Sequence, residues 1–233
     1  MYMGIYNSSN PFGSLGLPGF PIPPPRPKRR KAFFSFHFAD VMRVNVVRNA
    51  WKIDHPDAPL ARSFYDSSLW ESRQRQGDES LKKLIRQGVE YTSAVCVLIG
   101  AETWSRRWVR YEIARAVVDG RGLLAVHLNN IRHHVSKQPH PLGYNPLGCM
   151  GVGKVQASIL SLPQYYLFEW NGREWGRYGD YAFPIKLPTY LPEPSPGYIS
   201  LLSTGTGVYD WASNDGHKNI GGWIDRAAQQ VLR

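Results

Sequence analysis

One short apolar run limits the folds that are open to this chain. In "SAVCVLIG", residues 93–100, seven of the eight residues are apolar and none is charged. A strand with one solvent-exposed face alternates apolar and polar residues, whereas a continuous apolar run indicates a strand that is covered on both faces. Such strands occur in parallel sheets that have helices packed on both sides. The run therefore predicts an α/β fold.

The segments around this run alternate between strand and helix patterns. Buried strands are predicted at "KAFFSFH" and "LLAVHL", and a shorter strand is predicted at residues 63–65. Helices are predicted at "ADVMRVNVVRNAWK", at "DESLKKLIRQGVEY" and at residues 104–119, because apolar residues recur there at helical spacing. The alternation predicts a flavodoxin-like, doubly wound parallel sheet, which binds ligands at the carboxyl ends of its strands.

Composition divides the chain into three parts. Residues 1–30 hold seven of the 18 prolines, which predicts a flexible Pro/Gly-rich basic arm. Residues 31–153 contain the alternating segments and form the predicted main domain. Residues 154–233 are rich in aromatic residues, with short strands predicted at "YYLFEW" and "GDYAFPI" and a closing helix at "IGGWIDRAAQQVLR". We expect this C-terminal elaboration to pack on the main domain.

The positive charge is concentrated near the N-terminus. Half of the net charge of +10 comes from Arg26, Lys28, Arg29, Arg30 and Lys31. No recognition motif accompanies this arm, so we do not expect a nucleic-acid partner; if the arm did bind nucleic acid, deleting residues 1–30 would abolish binding. No run reaches the ~18 apolar residues of a membrane span, and the basic cluster follows the apolar N-terminus, which inverts the order of a secretory signal. We expect a soluble, cytoplasmic protein with no membrane partner.

The cysteines and histidines do not predict a metal site. Cys96 and Cys149 lack CxxC spacing, so we expect two unpaired thiols. His133 and His134 are adjacent, but no further ligands follow at suitable spacing. We predict no metal.

The helix predicted at residues 104–119 carries a glutamate beside its apolar face. Val109 and Ile113 belong to that face, and Glu112 lies at its edge. Trp108 lies one turn earlier on the same side, so an indole and a carboxylate project together near the helix N-terminus. The alternative is a surface ion pair between Glu112 and Arg115, worth roughly a few tenths of a kcal/mol. The spacing alone favours that surface pair.

Four ordered segments together resemble a known family. They are "FFSFHFAD", "FYDSSLWE", "TSAVCVLIG" and "WVRYEI". They are similar to the TIR-like domains of the Thoeris antiphage defence system, in its sensor component. The resemblance covers about residues 31–130 and extends more weakly to about residue 153, so the main domain is identified as TIR-like. Trp108 and Glu112 also fit the WxxxE pattern of TIR domains that cleave NAD⁺.

The resemblance implies roles for particular residues. Glu112 takes the place of the catalytic glutamate. A larger set is implied to bind the substrate: Ser35, Phe36, His37, Asp40, Trp70, Glu71 and Trp108. Trp70 and Glu71 lie in the second connection, which in TIR domains governs access and self-association. The alternatives are that Phe36 is a core residue, that His37 is structural and that Trp70 only anchors its loop.

The sequence departs from the wider TIR pattern at two places. Many TIR domains have a Ser-His-Ser-Xaa-Xaa-Asp stretch after the first strand, whereas this chain has "SFHFAD", which keeps Ser35, His37 and Asp40. No GxGxxG motif opens a helix, so no glycine-rich phosphate loop is predicted. Arg106 and Arg107, near a helix start, are candidates for phosphate recognition.

The chemistry that the resemblance implies needs only one carboxylate. Nicotinamide is positively charged in NAD⁺ and leaves as a neutral molecule, so its departure needs no general acid, unlike ordinary glycoside hydrolysis. An anion at Glu112 could stabilise the oxocarbenium-like ribose or orient a ribose hydroxyl. If water is restricted, a hydroxyl of the same nucleotide can compete as nucleophile and give a cyclic product.

We therefore expect a bacterial enzyme that uses NAD⁺ as substrate, needs no cofactor and makes an isomer of cyclic ADP-ribose. The resemblance implies that this nucleotide activates a separate effector protein, that a phage-derived trigger controls the enzyme, and that the protein can self-associate. The rival class is a non-enzymatic TIR interaction module, in which Glu112 is structural. Retention of Trp108 together with Glu112 favours the enzyme.

Overall fold

The computed structural model describes residues 30–54, 76–155 and 162–232. The arm, apart from its last residue, and the strand predicted at residues 63–65 lie outside these ranges. The described strands and helices, in chain order, are β1 (Ala32–Phe36), α1 (Val41–Asp54), α2 (Asp78–Glu90), β2 (Ala94–Ile99), α3 (Arg107–Val118), β3 (Gly122–His127), β4 (Met150–Val155), β5 (Gln164–Trp170), β6 (Trp175–Arg177), β7 (Ile199–Leu201), α4 (Leu202–Gly205), β8 (Gly207–Asp210) and α5 (Gly216–Gln230).

Four strands form the parallel sheet that the apolar runs predict. Their order is β1-β2-β3-β8, and each neighbouring pair is parallel. Every residue of β2 is fully buried, as its uninterrupted apolar sequence indicates. Helices α1 and α5 pack on one face of the sheet, and α2 and α3 pack on the other. This arrangement confirms the flavodoxin-like, doubly wound α/β fold.

Side chains along β1 alternate between the two faces of the sheet. Phe34 joins the apolar cluster under α1 and α5, whereas Phe33 joins the cluster under α2 and α3. Ser35 is therefore on the α3 side, and the strand register places it level with Val97 of β2. A serine thus lies in a row of otherwise apolar side chains that face α3.

The second sheet is antiparallel and has the order β6-β5-β4-β7. Its residues Met150, Val152 and Leu167 belong to the same apolar cluster as the inward face of α3. The predicted strand in "YYLFEW" is part of β5, and a turn at Gly172 (φ +102°) leads to β6. The segment "GDYAFPI" is not the strand we predict: it begins with a 3₁₀ turn, Gly179–Tyr181, where Asp180 pairs with Lys82 of α2 at 2.7 Å.

The end of the chain returns to the parallel sheet. β8 pairs with β3, and α5 covers the face on which α1 lies. Ile220, Trp223, Ile224 and Ala227 of α5 are buried there. A division of the chain at residue 153 therefore does not coincide with the division between the two sheets, because the apolar face under α1 needs α5 to exclude water. None of the described helices is both long and apolar enough to cross a membrane.

A pair of glycines tests the packing of α5 on the sheet. A Cβ at Gly122, the first residue of β3, would overlap the backbone carbonyl of Ala227, whereas a Cβ at Gly222 on α5 would meet nothing within 4 Å. We expect Gly122→Ala to lower the free energy of unfolding by about 1–3 kcal/mol, because backbone must move. Gly222→Ala should raise it by up to about 1 kcal/mol, since alanine is the better helix former. Denaturant titration of both variants measures the difference, and equal effects would contradict the described packing.

Candidate active site

Helix α3 begins at the carboxyl edge of the parallel sheet. β2 ends at Ile99, and a 3₁₀ turn at Thr103–Ser105 leads into the helix. The backbone N–H of Gly100 donates to the buried Thr103 hydroxyl at 2.9 Å, which fixes the turn. The first turn of α3 therefore lies where doubly wound folds bind ligands. The helix is shorter at its start than the predicted span of residues 104–119, because this separate turn precedes it.

The side chain of Glu112 points toward the interior of the protein. Val109, Ile113, Ala116 and Val117 form the sheet-facing side of α3, as the apolar spacing predicts. Glu112 is also buried, with only 6% of its surface exposed. The sequence predicts a position at the edge of the apolar face, but the carboxyl group of Glu112 lies against β1, where it meets the buried hydroxyl of Ser35. The carboxyl group thus lies in an apolar environment.

Ser35 on β1 is the hydrogen-bond partner of this carboxyl group. Its fully buried hydroxyl donates to Oε2 of Glu112 at 2.5 Å. The two residues are 77 positions apart in the chain, and strand alternation brings them together by turning Ser35 toward α3. A buried hydroxyl without a partner would cost free energy, so the contact accounts for a serine in this row.

Burial changes the protonation of Glu112. Removal from water raises the pKa of its carboxyl group from 4.5 to about 8, although the hydrogen bond from Ser35 acts in the opposite direction. A carboxylate is poorly stabilised in an apolar environment, and one neutral donor does not replace its hydration. Near neutral pH Glu112 is therefore mainly the uncharged acid in this conformation.

The arginines on and next to α3 pair with other carboxylates. Arg115 binds Asp119 through two contacts, at 2.7 and 2.9 Å, so the predicted alternative of a Glu112–Arg115 surface pair is not formed. The remaining three pairs are Arg106 with Glu102, Arg107 with Asp78 at 2.6 Å, and Arg110 with Glu169 at 3.4 Å. Glu112 consequently has no cationic partner among the described residues.

Phe36 and Trp108, two of the aromatic residues implied to bind the substrate, make other contacts in the fold. Phe36 packs against the apolar cluster on the opposite face of the sheet, under α1 and α5. Trp108 is half-buried against Tyr111, with ring centroids 6.0 Å apart, and the Arg107 guanidinium lies 4.7 Å above its ring. These contacts are structural. Roles for both residues in substrate binding stay predictions.

His37 and Asp40 lie in the connection that follows β1. Burial and the nearby charge of Arg106 lower the pKa of His37, while Asp40 raises it. Asp40 is buried and packs against Gly100, where a Cβ would overlap its carboxylate. The two connections after β1 and β2 are therefore in contact at the carboxyl edge. His37, Asp40 and Arg106 give this edge its polar character.

A long loop after β3 crosses the same edge, and the sequence did not identify its role. Nε2 of His140 lies 3.8 Å from a carboxylate oxygen of Asp40, and Gly143 packs against the carbonyl of Gly100 so closely that a side chain there would overlap it. Tyr144 meets Trp104 edge to face, at 5.7 Å between centroids. No local pattern indicates these contacts, because each joins residues that are distant in the chain.

The other residues that the sequence analysis singles out lie outside the described ranges or have a different environment from the site. Trp70 and Glu71 lie outside the described residues. Nδ1 of His133 accepts the backbone N–H groups of Val135 and Ser136 at 3.3 Å, so this histidine holds a turn. Phosphate recognition by Arg106 or Arg107 and the absence of a metal stay predictions.

Two comparisons with known proteins bear on this site. A family model described as Thoeris protein ThsB, TIR-like domain, matches residues 33–133, which include Ser35 and Glu112. A relative from Bacillus cereus (strain MSX-D12) is 37% identical over 202 residues, which cover 84% of this chain and 99% of the relative. That relative is named "Putative cyclic ADP-D-ribose synthase ThsB1".

Proposed function

Because the chain belongs to the Thoeris ThsB family with its TIR-like domain, we propose that it cleaves NAD⁺ at the nicotinamide–ribose bond and makes a cyclic ADP-ribose-type nucleotide. The relative that matches nearly along its whole length carries the name of a cyclic ADP-D-ribose synthase. NAD⁺ is then the substrate, and no resident cofactor is required. The nucleotide acts as a signal that activates a separate effector protein after a phage-derived trigger.

One observation carries this proposal: a buried carboxyl group at the carboxyl edge of the sheet, with no ion pair to any residue that the structure describes. A glutamate that only stabilised the fold would gain from an arginine partner, and four arginines close to it in sequence pair elsewhere. Buried carboxyl groups with strongly raised pKa values are typical of functional sites. Glu112 is therefore our candidate for the group that faces the ribose.

The carboxylate form of Glu112 is the one that the reaction uses. As the bond to nicotinamide breaks, positive charge develops on the ribose, and a fixed anion lowers the free energy of that state. The leaving group needs no proton from the protein, so one carboxylate can suffice. An anion in an apolar environment attracts a nearby positive charge more strongly than an anion in water does.

Exclusion of water supports cyclisation over hydrolysis. The side chain of Glu112 is buried on the inner side of α3. The loop that contains His140 and Tyr144 crosses the carboxyl edge of the sheet. When water is scarce at the oxocarbenium-like ribose, a group of the same nucleotide is the nearest nucleophile. Substrate must displace part of this cover, because a carboxyl group that is 6% exposed offers little surface to a ligand. We propose that the phage trigger favours the opened state.

Labelled NAD⁺ tests the proposed function. The full chain is added, with NAD⁺ labelled in both the nicotinamide and the adenosine, to extracts of cells infected with a panel of phages. Release of nicotinamide together with a cyclic adenosine-containing product in at least one extract supports the proposal. Intact NAD⁺ in every extract, including that of a phage against which the protein protects, would support the interaction module instead.

Removal of the Ser35 hydroxyl should shift the pH dependence of the reaction. The hydrogen bond from Ser35 lowers the pKa of Glu112, so Ser35→Ala should raise that pKa further. Because the carboxylate is the active form, the acid limb of the kcat/KM profile should move to higher pH by roughly one unit. Ser80→Ala on α2, which removes a hydroxyl bonded to Gln76, is the control. An unchanged acid limb in Ser35→Ala would contradict the assigned contact.

A further inference from the structure

A groove on the α5 side of the parallel sheet lies apart from the candidate active site. It has a volume of about 270 Å³ and is formed by α4, the start of β8 and the C-terminal half of α5. Leu124 of β3, Trp223 and Ala227 form its buried floor. These three side chains belong to the apolar cluster under α1 and α5, whereas Glu112 lies on the α3 side of the sheet. The groove is therefore separate from the site around Glu112.

A glycine and a stacked ring pair shape this groove. Gly207 is level with Leu124 in the strand register, so it faces α5, and a Cβ there would lie 2.7 Å from the hydroxyl oxygen of Tyr209. The Tyr209 ring stacks on Trp223, with centroids 4.2 Å apart and an interplanar angle of 2°. The ring pair is thus in place before a ligand binds, which lowers the entropy cost of binding.

The charged side chain that lines the groove is a cation. The guanidinium of Arg226 lies with its Nη1 atom 3.5 Å from the hydroxyl oxygen of Tyr209. The neighbouring Asp225 pairs with Arg30 at 3.4 Å, and Arg226 forms no ion pair with a carboxylate of the described residues. None of the described residues that line the groove is acidic. The charge of Arg226 is therefore available to an anion.

Neutral hydrogen-bonding groups line the same groove. They include the hydroxyl of Thr204 and the side-chain amide of Gln230. Nε2 of Gln230 donates to the carbonyl of Gly205 at 3.3 Å and has a second N–H to donate. A phosphate group presents three acceptor oxygens, and a guanidinium can bind two of them at once. The arrangement of one guanidinium with neutral donors suits a phosphate group.

The size of the groove limits the rest of the ligand. Pockets that hold drug-sized ligands have volumes of about 300–1,000 Å³, and this groove lies just below that range. A sugar phosphate or a mononucleotide is small enough to enter it, whereas a whole dinucleotide is not. The apolar floor offers contact area to the organic part of such a ligand.

We propose that this groove binds a phosphate monoester of sugar or mononucleotide size, with its phosphate on Arg226 and its organic part on the floor formed by Leu124, Trp223 and Ala227. The inference goes beyond the proposed function and does not depend on it, because the two sites lie on opposite faces of the sheet. The protein then has a second ligand site in addition to the site for NAD⁺.

Isothermal titration calorimetry of the full chain tests this proposal. The ligands are AMP, ribose 5-phosphate and inorganic phosphate, each at up to about 10 mM, which detects a millimolar Kd. At least one of the two esters should bind wild type, and at least about tenfold more tightly than inorganic phosphate, because only an ester contacts the floor. Arg226→Ala should weaken that binding by at least about tenfold, because the charge-assisted hydrogen bonds are lost.

The matched control is Lys218→Ala. Lys218 is an exposed cation near the start of α5 and does not line the groove. Its loss makes the same change in net charge and should alter the Kd by less than about twofold. Arg226 is exposed, so Arg226→Ala should fold as wild type does.

Three results would overturn the proposal. They are no binding of either ester, equal affinity of wild type and Arg226→Ala, and equal affinity for inorganic phosphate and the esters. The second would show that Arg226 serves only to complement the dipole at the C-terminal end of α5. None of these results bears on the proposed function, which release of nicotinamide from NAD⁺ tests separately.

Discussion

Glu112→Gln is expected to reduce formation of the cyclic nucleotide by at least ~10²-fold, because the neutral amide cannot stabilise the positive charge that develops on the ribose. Glutamine has the same shape as glutamate, and its carbonyl oxygen can accept the hydrogen bond from Ser35. The loss should therefore fall on the chemical step and not on the fold. Rates of nicotinamide release at saturating NAD⁺ in triggered extracts measure the effect.

The control for this variant is Glu90→Gln. Glu90 is the exposed last residue of α2 and takes no part in the site. Its substitution makes the same chemical change and should leave the rate within about twofold of wild type, as surface substitutions usually do. A Glu112→Gln variant that kept a tenth or more of the wild-type rate would show that another group carries the charge stabilisation.

The same substitution should make the protein more stable. In the folded state Glu112 has a pKa of about 8, whereas in the unfolded chain its ordinary value is 4.5. Between these values the unfolded chain releases its proton and the folded one keeps it, so the stability of the wild type falls as the pH rises from about 4.5 to about 8. Glutamine does not titrate and escapes this loss. Since each pKa unit is equivalent to ~1.4 kcal/mol, Glu112→Gln should exceed wild type by about 3 kcal/mol at pH 7.

The pH dependence identifies the cause of this gain. The difference in the free energy of unfolding between Glu112→Gln and wild type should be small near pH 4.5, grow through neutral pH and level off above pH 8. Urea titrations at four or more pH values measure it, and Glu90→Gln should show no comparable trend. A difference that was constant with pH, or a Glu112→Gln variant less stable than wild type throughout, would contradict the neutral buried carboxyl.

The expected loss of activity and the expected gain in stability of Glu112→Gln mean that this residue lowers stability while it supports activity. An isolated carboxyl group in an apolar environment is a poor choice for stability and a good one for stabilising a cationic transition state. A paired Glu112 would be easier to bury, but its charge would already be compensated when the substrate arrived. Among the described residues Glu112 has no cationic partner, which suits the role that we propose for its charge.

The sequence predicts the parts of the molecule that depend on local pattern. The apolar run of β2 indicates a strand covered on both faces, and the spacing of Val109 and Ile113 indicates the buried side of α3; the structure confirms both. Ser35 is singled out by the family resemblance, but its contact with Glu112 follows only from combining strand alternation with the position of α3 over β1. The sequence does not predict the burial of Glu112, because its partner Ser35 on β1 lies 77 positions away in the chain.

Contacts that join distant segments could not be predicted in this way. The pairing of Arg110 with Glu169 depends on the antiparallel sheet, whose place against α3 has no local signature. The approach of His140 to Asp40 depends on a loop without regular structure, held by the close contact between Gly100 and Gly143. The ionisation of Glu112 could not be predicted either, since its pKa is raised by burial, which the hydrogen bond from the distant Ser35 offsets only in part.

The most direct test of the account is the nucleotide content of filtered lysates from phage-infected cells that express either wild type or Glu112→Gln, analysed by chromatography and mass spectrometry. The account predicts a nucleotide one water molecule lighter than ADP-ribose in the wild-type lysate and its absence with Glu112→Gln, with both proteins folded and equally abundant. Identical nucleotides in the two lysates, from cells infected with a phage against which the protein protects, would contradict the assignment of Glu112 to the chemistry.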